Sequence, residues 1–248
     1  MVVAAASTGC QREVDSQWLS RTVATATGIH RYTVFVPSGE APGGRWPILL
    51  YLHGADGRGT DGVKQTEREL GAVIRRDRAR FPLVVVFPQS ESLLWSSDDE
   101  RVAIGALAQT EREFSTDPGR VYVAGYSRGA NAAWYLSYRQ PTRFAAIVAL
   151  SGWIEPLEPR APTRVVPELD REPFESVSER LSGTPSWLFH GSADPVVPVG
   201  QSRGLYSALQ AHGAQSRYSE LRGLGHDIWS AIDVAAAVEW LLSHRRPS

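Results

Sequence analysis

Apolar and polar positions follow two different patterns along this chain. Trp18–Ala26 and His30–Val36 alternate between them, with Thr27-Gly28 in between and Pro37 after, as two half-buried strands joined into an antiparallel pair should. From Pro47 onward the pattern changes. Pro47–His53 (PILLYLH), Pro82–Phe87 (PLVVVF), Arg120–Ala124 (RVYVA), Phe144–Leu150 (FAAIVAL) and Ser186–His190 (SWLFH) are short, nearly continuous apolar runs, as strands buried on both faces require. Ser216–Leu221 reads as one more strand. Segments of helical period lie between them. One runs from about Thr66 and carries Leu70, Ile74 and Ala79. Another opens with Asp98-Asp99-Glu100, where acid suits the positive end of a helix, and continues through Val102, Ala106, Leu107 and Phe114. Gly129–Tyr138, Gly200–His212 and Trp229–His244 follow. Such alternation predicts an α/β fold: a mostly parallel twisted sheet with helices on both faces and an N-terminal antiparallel strand pair.

One stretch breaks the rhythm. Residues 154–173 hold Pro156, Pro159, Pro162, Pro167 and Pro173, a density that excludes a long helix. It reads as an insertion over the carboxyl edge of the sheet, either a lid or a plain surface excursion. No repeat or linker interrupts the rest, so residues 18–246 are expected to form a single domain behind a leader, residues 1–17. That leader is a run of small residues reaching Gly9-Cys10, and resembles the end of a bacterial lipoprotein signal. If so, Cys10 is the lipidated residue and the protein is extracellular or periplasmic; a cytoplasmic protein with an unstructured leader is the alternative.

Composition narrows the function by exclusion. Hydrophobic residues make up 42% of the 248 and charged ones 21%, which fits a soluble globular chain and not a disordered or collagen-like one. With 26 basic and 27 acidic residues there is no electrostatic footprint for nucleic acid. No apolar run approaches the ~20 residues of a membrane span, so no transmembrane segment is expected. The single cysteine excludes an intramolecular disulfide and a multi-cysteine metal site.

Chemistry concentrates in Gly125-Tyr126-Ser127-Arg128-Gly129, between a predicted strand and a predicted helix. Small residues at its ends let strand and helix approach through a tight turn, which presents Ser127 with its Oγ exposed. The backbone N–H of Arg128 then faces the same space, where it can help hold an oxyanion. A serine hydroxyl needs a base. Of six histidines, His30 and His212 read as structural, His244 lies in the C-terminal tail, and His53 and His190 end buried strands. His226, in Gly223-Leu224-Gly225-His226-Asp227, sits on a glycine-flanked loop free to turn toward Ser127. A carboxylate must fix the tautomer of that ring, and Asp194 follows a buried strand in His190-Gly191-Ser192-Ala193-Asp194-Pro195. Asp170 and Glu172 are the reserve acids. A second oxyanion donor is expected from the glycine-rich loop His53-Gly54-Ala55-Asp56-Gly57-Arg58-Gly59, with Ala55 the donor. No Gly-Lys-Ser/Thr follows that loop, which excludes a nucleotide cradle.

Together, His53-Gly54, Gly125-x-Ser127-x-Gly129, His190-Gly191-x-x-Asp194-x-x-Val197-Pro198 and Gly225-His226 resemble the α/β-hydrolase superfamily. Arg31-Tyr32 with Val36-Pro37, and Leu52-His53-Gly54-Ala55-x-x-Arg58-Gly59, are similar to its bacterial feruloyl-esterase-like, polyhydroxybutyrate-depolymerase-like and predicted-peptidase branch. The resemblance covers roughly residues 18–243, and segment 154–173 departs from it. It implies an α/β-hydrolase fold and ester hydrolysis through an acyl-enzyme, with neither cofactor nor metal. Trp95, Trp153 and Trp229 all fall beyond strand carboxyl ends, where ligands bind in open α/β sheets, and suit an aryl, short-chain or polymer-derived ester. The same triad could serve a peptidase or an acyltransferase, and a binding module on a hydrolase fold is the non-catalytic alternative. The expected partner is a small-molecule or polymeric ester; nothing in the residues speaks to oligomeric state.

Overall fold

The computed structural model describes residues 16–92, 95, 97–157, 165, 166 and 172–246. Residues 1–15 of the expected leader, with Cys10, most of the proline-rich segment and Asp170 lie outside them, while Gln17, expected to end the leader, is the first residue of the sheet because it pairs with Val36. Eight strands are present: β1 (Gln17–Thr25), β2 (Gly28–Val36), β3 (Trp46–Leu52), β4 (Val84–Pro88), β5 (Thr116–Tyr126), β6 (Ala146–Leu150), β7 (Ser186–Gly191) and β8 (Ser216–Leu221). Six α-helices accompany them: α1 (Glu69–Arg76), α2 (Ser97–Glu113), α3 (Arg128–Arg139), α4 (Pro173–Leu181), α5 (Gly200–Ala211) and α6 (Val234–Leu242).

All eight strands share one sheet, in the order β1-β2-β4-β3-β5-β6-β7-β8. β1 with β2, and β2 with β4, pair antiparallel; every other pairing, from β4–β3 through to β7–β8, is parallel. This is the mostly parallel sheet with an N-terminal antiparallel pair expected from the pattern, and it is an α/β-hydrolase fold. Strand periodicity divides the core between the two faces. Ile48, Leu50, Leu52, Val121 and Val123 pack on one side with residues of α2, α3, α4 and α5. Leu49, Tyr51, Tyr122 and Ala124 pack on the other with α1 and α6.

Two expectations shift. The helix expected from about Thr66 begins at Glu69 and stops before Asp77; Ala79 lies in a separate turn, Arg78–Arg80. The last helix starts at Val234 rather than near Trp229, because the Asp233 side chain accepts from the Ala236 N–H and caps it there. An unforeseen helix, α4, opens with Pro173, at the position where proline fits a helix because its missing N–H would have no partner anyway. In the described part of the proline-rich segment, Ile154, Val165 and Val166 are buried in the core, and the Ile154 and Glu155 N–H groups donate to Gln201 Oε1 on α5 at 2.9 and 3.0 Å. Among the described residues no helix is long and apolar enough to cross a membrane.

Candidate active site

Ser127, Asp194 and His226 stand on the loops after β5, β7 and β8, at the carboxyl edge of the sheet. At the β5–α3 junction the chain reverses so tightly that a Cβ on Gly125 would lie 2.1 Å from the Gly129 carbonyl oxygen, and one on Gly129 would lie 1.8 Å from that of Leu52. No residue larger than glycine fits either place. Between them Ser127 adopts φ 54°, ψ −115°, a left-handed conformation that serine rarely takes. Its N–H donates to the Leu150 carbonyl at 2.8 Å, which ties the turn to β6. Ser127 is only 6% exposed, so it is less open than the motif suggested. Packing from both sides of the junction accounts for this, together with the His226 ring.

His226 Nε2 lies 2.8 Å from Ser127 Oγ, and His226 Nδ1 lies 2.7 Å from Asp194 Oδ2. The carboxylate fixes the proton on Nδ1, leaving Nε2 to accept from the serine hydroxyl. Asp194 is held from every side. Its Oδ1 accepts from the Val196 and Val197 N–H groups at 2.8 and 2.9 Å, and its side chain has no exposed surface. The His190 ring adds a contact the sequence did not disclose: Nε2 lies 3.2 Å from Asp194 Oδ2 and 3.0 Å from the Val197 carbonyl oxygen. A carbonyl only accepts, so His190 Nε2 carries the proton, and Nδ1 accepts from the Ser202 hydroxyl at 2.7 Å. Burial lowers the pKa of His190 and keeps the ring neutral. The His226 carbonyl accepts from Tyr126 OH at 3.2 Å and from Ser151 Oγ at 3.1 Å, so the loop is anchored at the residue that faces Ser127.

Ala55 follows Gly54 on the loop after β3, and Arg128 opens α3, where the first N–H groups of a helix point off its end. The three tryptophans differ. Trp95 is 8% exposed, with its N–H donating to the His53 carbonyl at 3.2 Å. Trp153 is 6% exposed, and its carbonyl accepts from Asn131 Nδ2. Trp229 is half-buried, edge-on to Tyr51 and Tyr126. Among the described residues no cluster of His, Cys, Asp and Glu is arranged to hold a metal ion.

A sequence model described as phospholipase/carboxylesterase matches residues 89–241, more than half of the chain. The chain belongs to that family. The matched stretch includes Ser127, Asp194 and His226, whereas the loop carrying Ala55 lies before it. An uncharacterized secreted protein from Arthroderma benhamiae is 26% identical over 198 residues, 73% of this chain and 21% of that one. Among solved structures, a thermostable esterase superposes with a TM-score of 0.74 at 26% identity, over 92% of this chain and 63% of its own. A ferulic acid esterase superposes with a TM-score of 0.68 over 92% of this chain and 98% of its own; at 18% identity, that is a likeness of fold. The chain spans 21% to 63% of the lengths of the first curated relatives it matches.

Proposed function

We propose that this member of the phospholipase/carboxylesterase family is a serine carboxylester hydrolase acting through an acyl-enzyme, with residues 18–246 as one catalytic domain. The observation that carries the proposal is the run of hydrogen-bond distances from Ser127 Oγ through the His226 ring to Asp194 Oδ2. Ser127 Oγ attacks the ester carbonyl carbon as His226 Nε2 takes the hydroxyl proton, and the carbonyl electron pair moves onto oxygen. The Ala55 and Arg128 N–H groups stabilise that oxyanion. Collapse breaks the bond to the alcohol, which leaves with the proton from His226. Water, deprotonated by the same ring, then releases the acid and restores the serine. Asp194 holds the ring in the required tautomer throughout, with His190 steadying the carboxylate. No step calls for a cofactor.

Aryl, short-chain or polymer-derived esters are the proposed substrates. Likeness to a thermostable esterase and to a ferulic acid esterase supports this class. Trp95 and Trp153 act from behind, through the loops they brace. Likeness to a secreted protein supports a site of action outside the cytoplasm. The test is a panel of short p-nitrophenyl esters, methyl ferulate, an acetylated sugar, a polyester and short peptides, given to wild type and Ser127→Ala. Expected is turnover of at least one ester, with kcat at least ~10³-fold lower in the variant. Comparable ester turnover by Ser127→Ala, or cleavage of peptides alone, contradicts the proposal.

A further inference from the structure

Among the described residues, three that are not glycine have φ in the left-handed region: Glu69 (53°), Ser127 (54°) and Ser151 (49°). Such backbones are costly and persist where the surroundings enforce them, often at functional sites. Ser127 is the proposed nucleophile, and Ser151 holds the His226 carbonyl. Glu69 has no part in the mechanism so far, yet it lies against the loop that carries Ala55.

Glu69 is the first residue of α1, and its side chain reaches back to that loop. Glu69 Oε2 accepts from Tyr51 OH at 2.7 Å, and the Gly54 N–H donates to Oε1 and Oε2 at 3.1 and 3.3 Å. On the other side of the same residue, the Gly54 carbonyl accepts from His53 Nδ1 at 2.6 Å. His53 Nε2 accepts from the Ser90 N–H at 3.0 Å, which places the ring proton on Nδ1. Gly54 is therefore gripped at both its polar groups. In a trans peptide the C=O and the following N–H point in opposite directions. A Gly54 carbonyl turned onto the His53 ring sends the Ala55 N–H the other way. Glycine is the residue most able to rotate out of that arrangement; the Glu69 carboxylate anchors the 53–54 peptide on one side of the Gly54 Cα while the His53 ring holds the 54–55 peptide on the other, so the second grip works from a fixed base. The fit is close: a Cβ on Gly54 would stand 2.8 Å from the Tyr126 ring and 2.9 Å from Glu69 Oε1.

We propose that Glu69 is a positioning residue for oxyanion stabilisation, fixing the direction of the Ala55 N–H by holding the Gly54 N–H. The inference rests on the esterase mechanism above and adds to it a residue remote from the triad in sequence.

Three variants test it on a p-nitrophenyl ester, with inhibition by a trifluoromethyl ketone, whose adduct on Ser127 carries an oxyanion, as a second readout. Glu69→Leu leaves the Gly54 N–H without its acceptor; kcat should fall at least tenfold with KM within threefold, and the ketone should bind at least tenfold more weakly. Glu69→Gln keeps an acceptor and should stay within threefold of wild type in both. Tyr51→Phe preserves the core volume and removes the hydroxyl that steadies Oε2; a two- to fivefold fall in kcat is expected, which decides the matter if Glu69→Leu does not fold. A folded Glu69→Leu with wild-type kcat, a defect in KM alone, a Glu69→Gln as impaired as the leucine variant, or a Tyr51→Phe with wild-type kcat overturns the inference. Fluorophosphonate labelling of Ser127, with Ser127→Ala as the blank, separates the two claims. Stoichiometric labelling of wild type beside an unimpaired Glu69→Leu overturns this inference alone, whereas no labelling of wild type overturns the esterase reading and this inference together.

Discussion

Asp194 shows how much of this site depends on single atoms. Its Oδ2 faces two imidazoles, His226 at 2.7 Å and His190 at 3.2 Å, while Oδ1 is occupied by two backbone N–H groups. With both oxygens engaged, the carboxylate has one orientation available. Replacing His190, which has no exposed surface, by phenylalanine removes one donor from Asp194 and strands the Ser202 hydroxyl and the Val197 carbonyl. Each stranded group costs ~1–3 kcal/mol, so the variant should melt well below wild type, and kcat should drop about tenfold with little change in KM. Melting curves and steady-state kinetics on one preparation check both. A stable variant with full kcat would show that Asp194 needs no second ring. In the sequence His190-Gly191 was legible as the end of a buried strand and as part of a motif leading to Asp194, but the contact of its ring with that carboxylate was not, because spacing alone does not say which way a buried side chain turns.

At the scale of elements, the β5–α3 turn and the β3–α1 loop carry opposite lessons. The turn was readable because its constraint is steric: a Cβ at position 129 would lie 1.8 Å from a backbone oxygen, so only glycine serves. Gly129→Ala should destabilise the protein by more than ~4 kcal/mol or prevent folding, seen as lost soluble yield or a collapsed melting temperature. The loop hid its supports, because a carboxylate donated by the next helix follows no motif. Burial pushes Glu69 up to about 7 and His53 down to about 4. Tyr51, Tyr126, Asp56 and Asp227 surround Glu69, the two aspartates raising it further and the Tyr51 hydroxyl lowering it. For Glu69, folded above unfolded, the native state binds the extra proton; its contribution is present below about pH 4.5 and lost as pH rises through about 7. For His53, folded below unfolded, the contribution is present above about pH 6.5 and lost as pH falls toward 4. Glu69→Gln should therefore melt higher than wild type at pH 8, with the gap narrowing toward pH 5. A gap independent of pH would mean that Glu69 is not held in a desolvated site. The same element scale explains the missed helix: Pro173 ended a run of prolines that read as loop, and only the structure shows it at the first turn of α4.

For the whole molecule, the mostly parallel sheet, its N-terminal antiparallel pair and the helices on both faces follow from apolar runs alternating with helical period, and the loops beyond the strand ends bring Ser127, Asp194 and His226 together from 99 and 32 residues apart. That much could be read in advance because buried strands and glycine-bound turns are local in sequence. What could not be read is contact across the fold, namely Glu69 under Gly54, His190 against Asp194 and Ser151 on the His226 carbonyl. All three secure the geometry of the proposed acyl-transfer step, and all three come from residues with ordinary structural readings. Intact-protein mass spectrometry during turnover of a slow p-nitrophenyl ester tests that step most directly. One added acyl group is expected, mapping to the peptide that contains Ser127, forming and decaying at rates consistent with turnover, and absent from Ser127→Ala. Hydrolysis without an adduct on that peptide, undiminished in the variant, would contradict the mechanism.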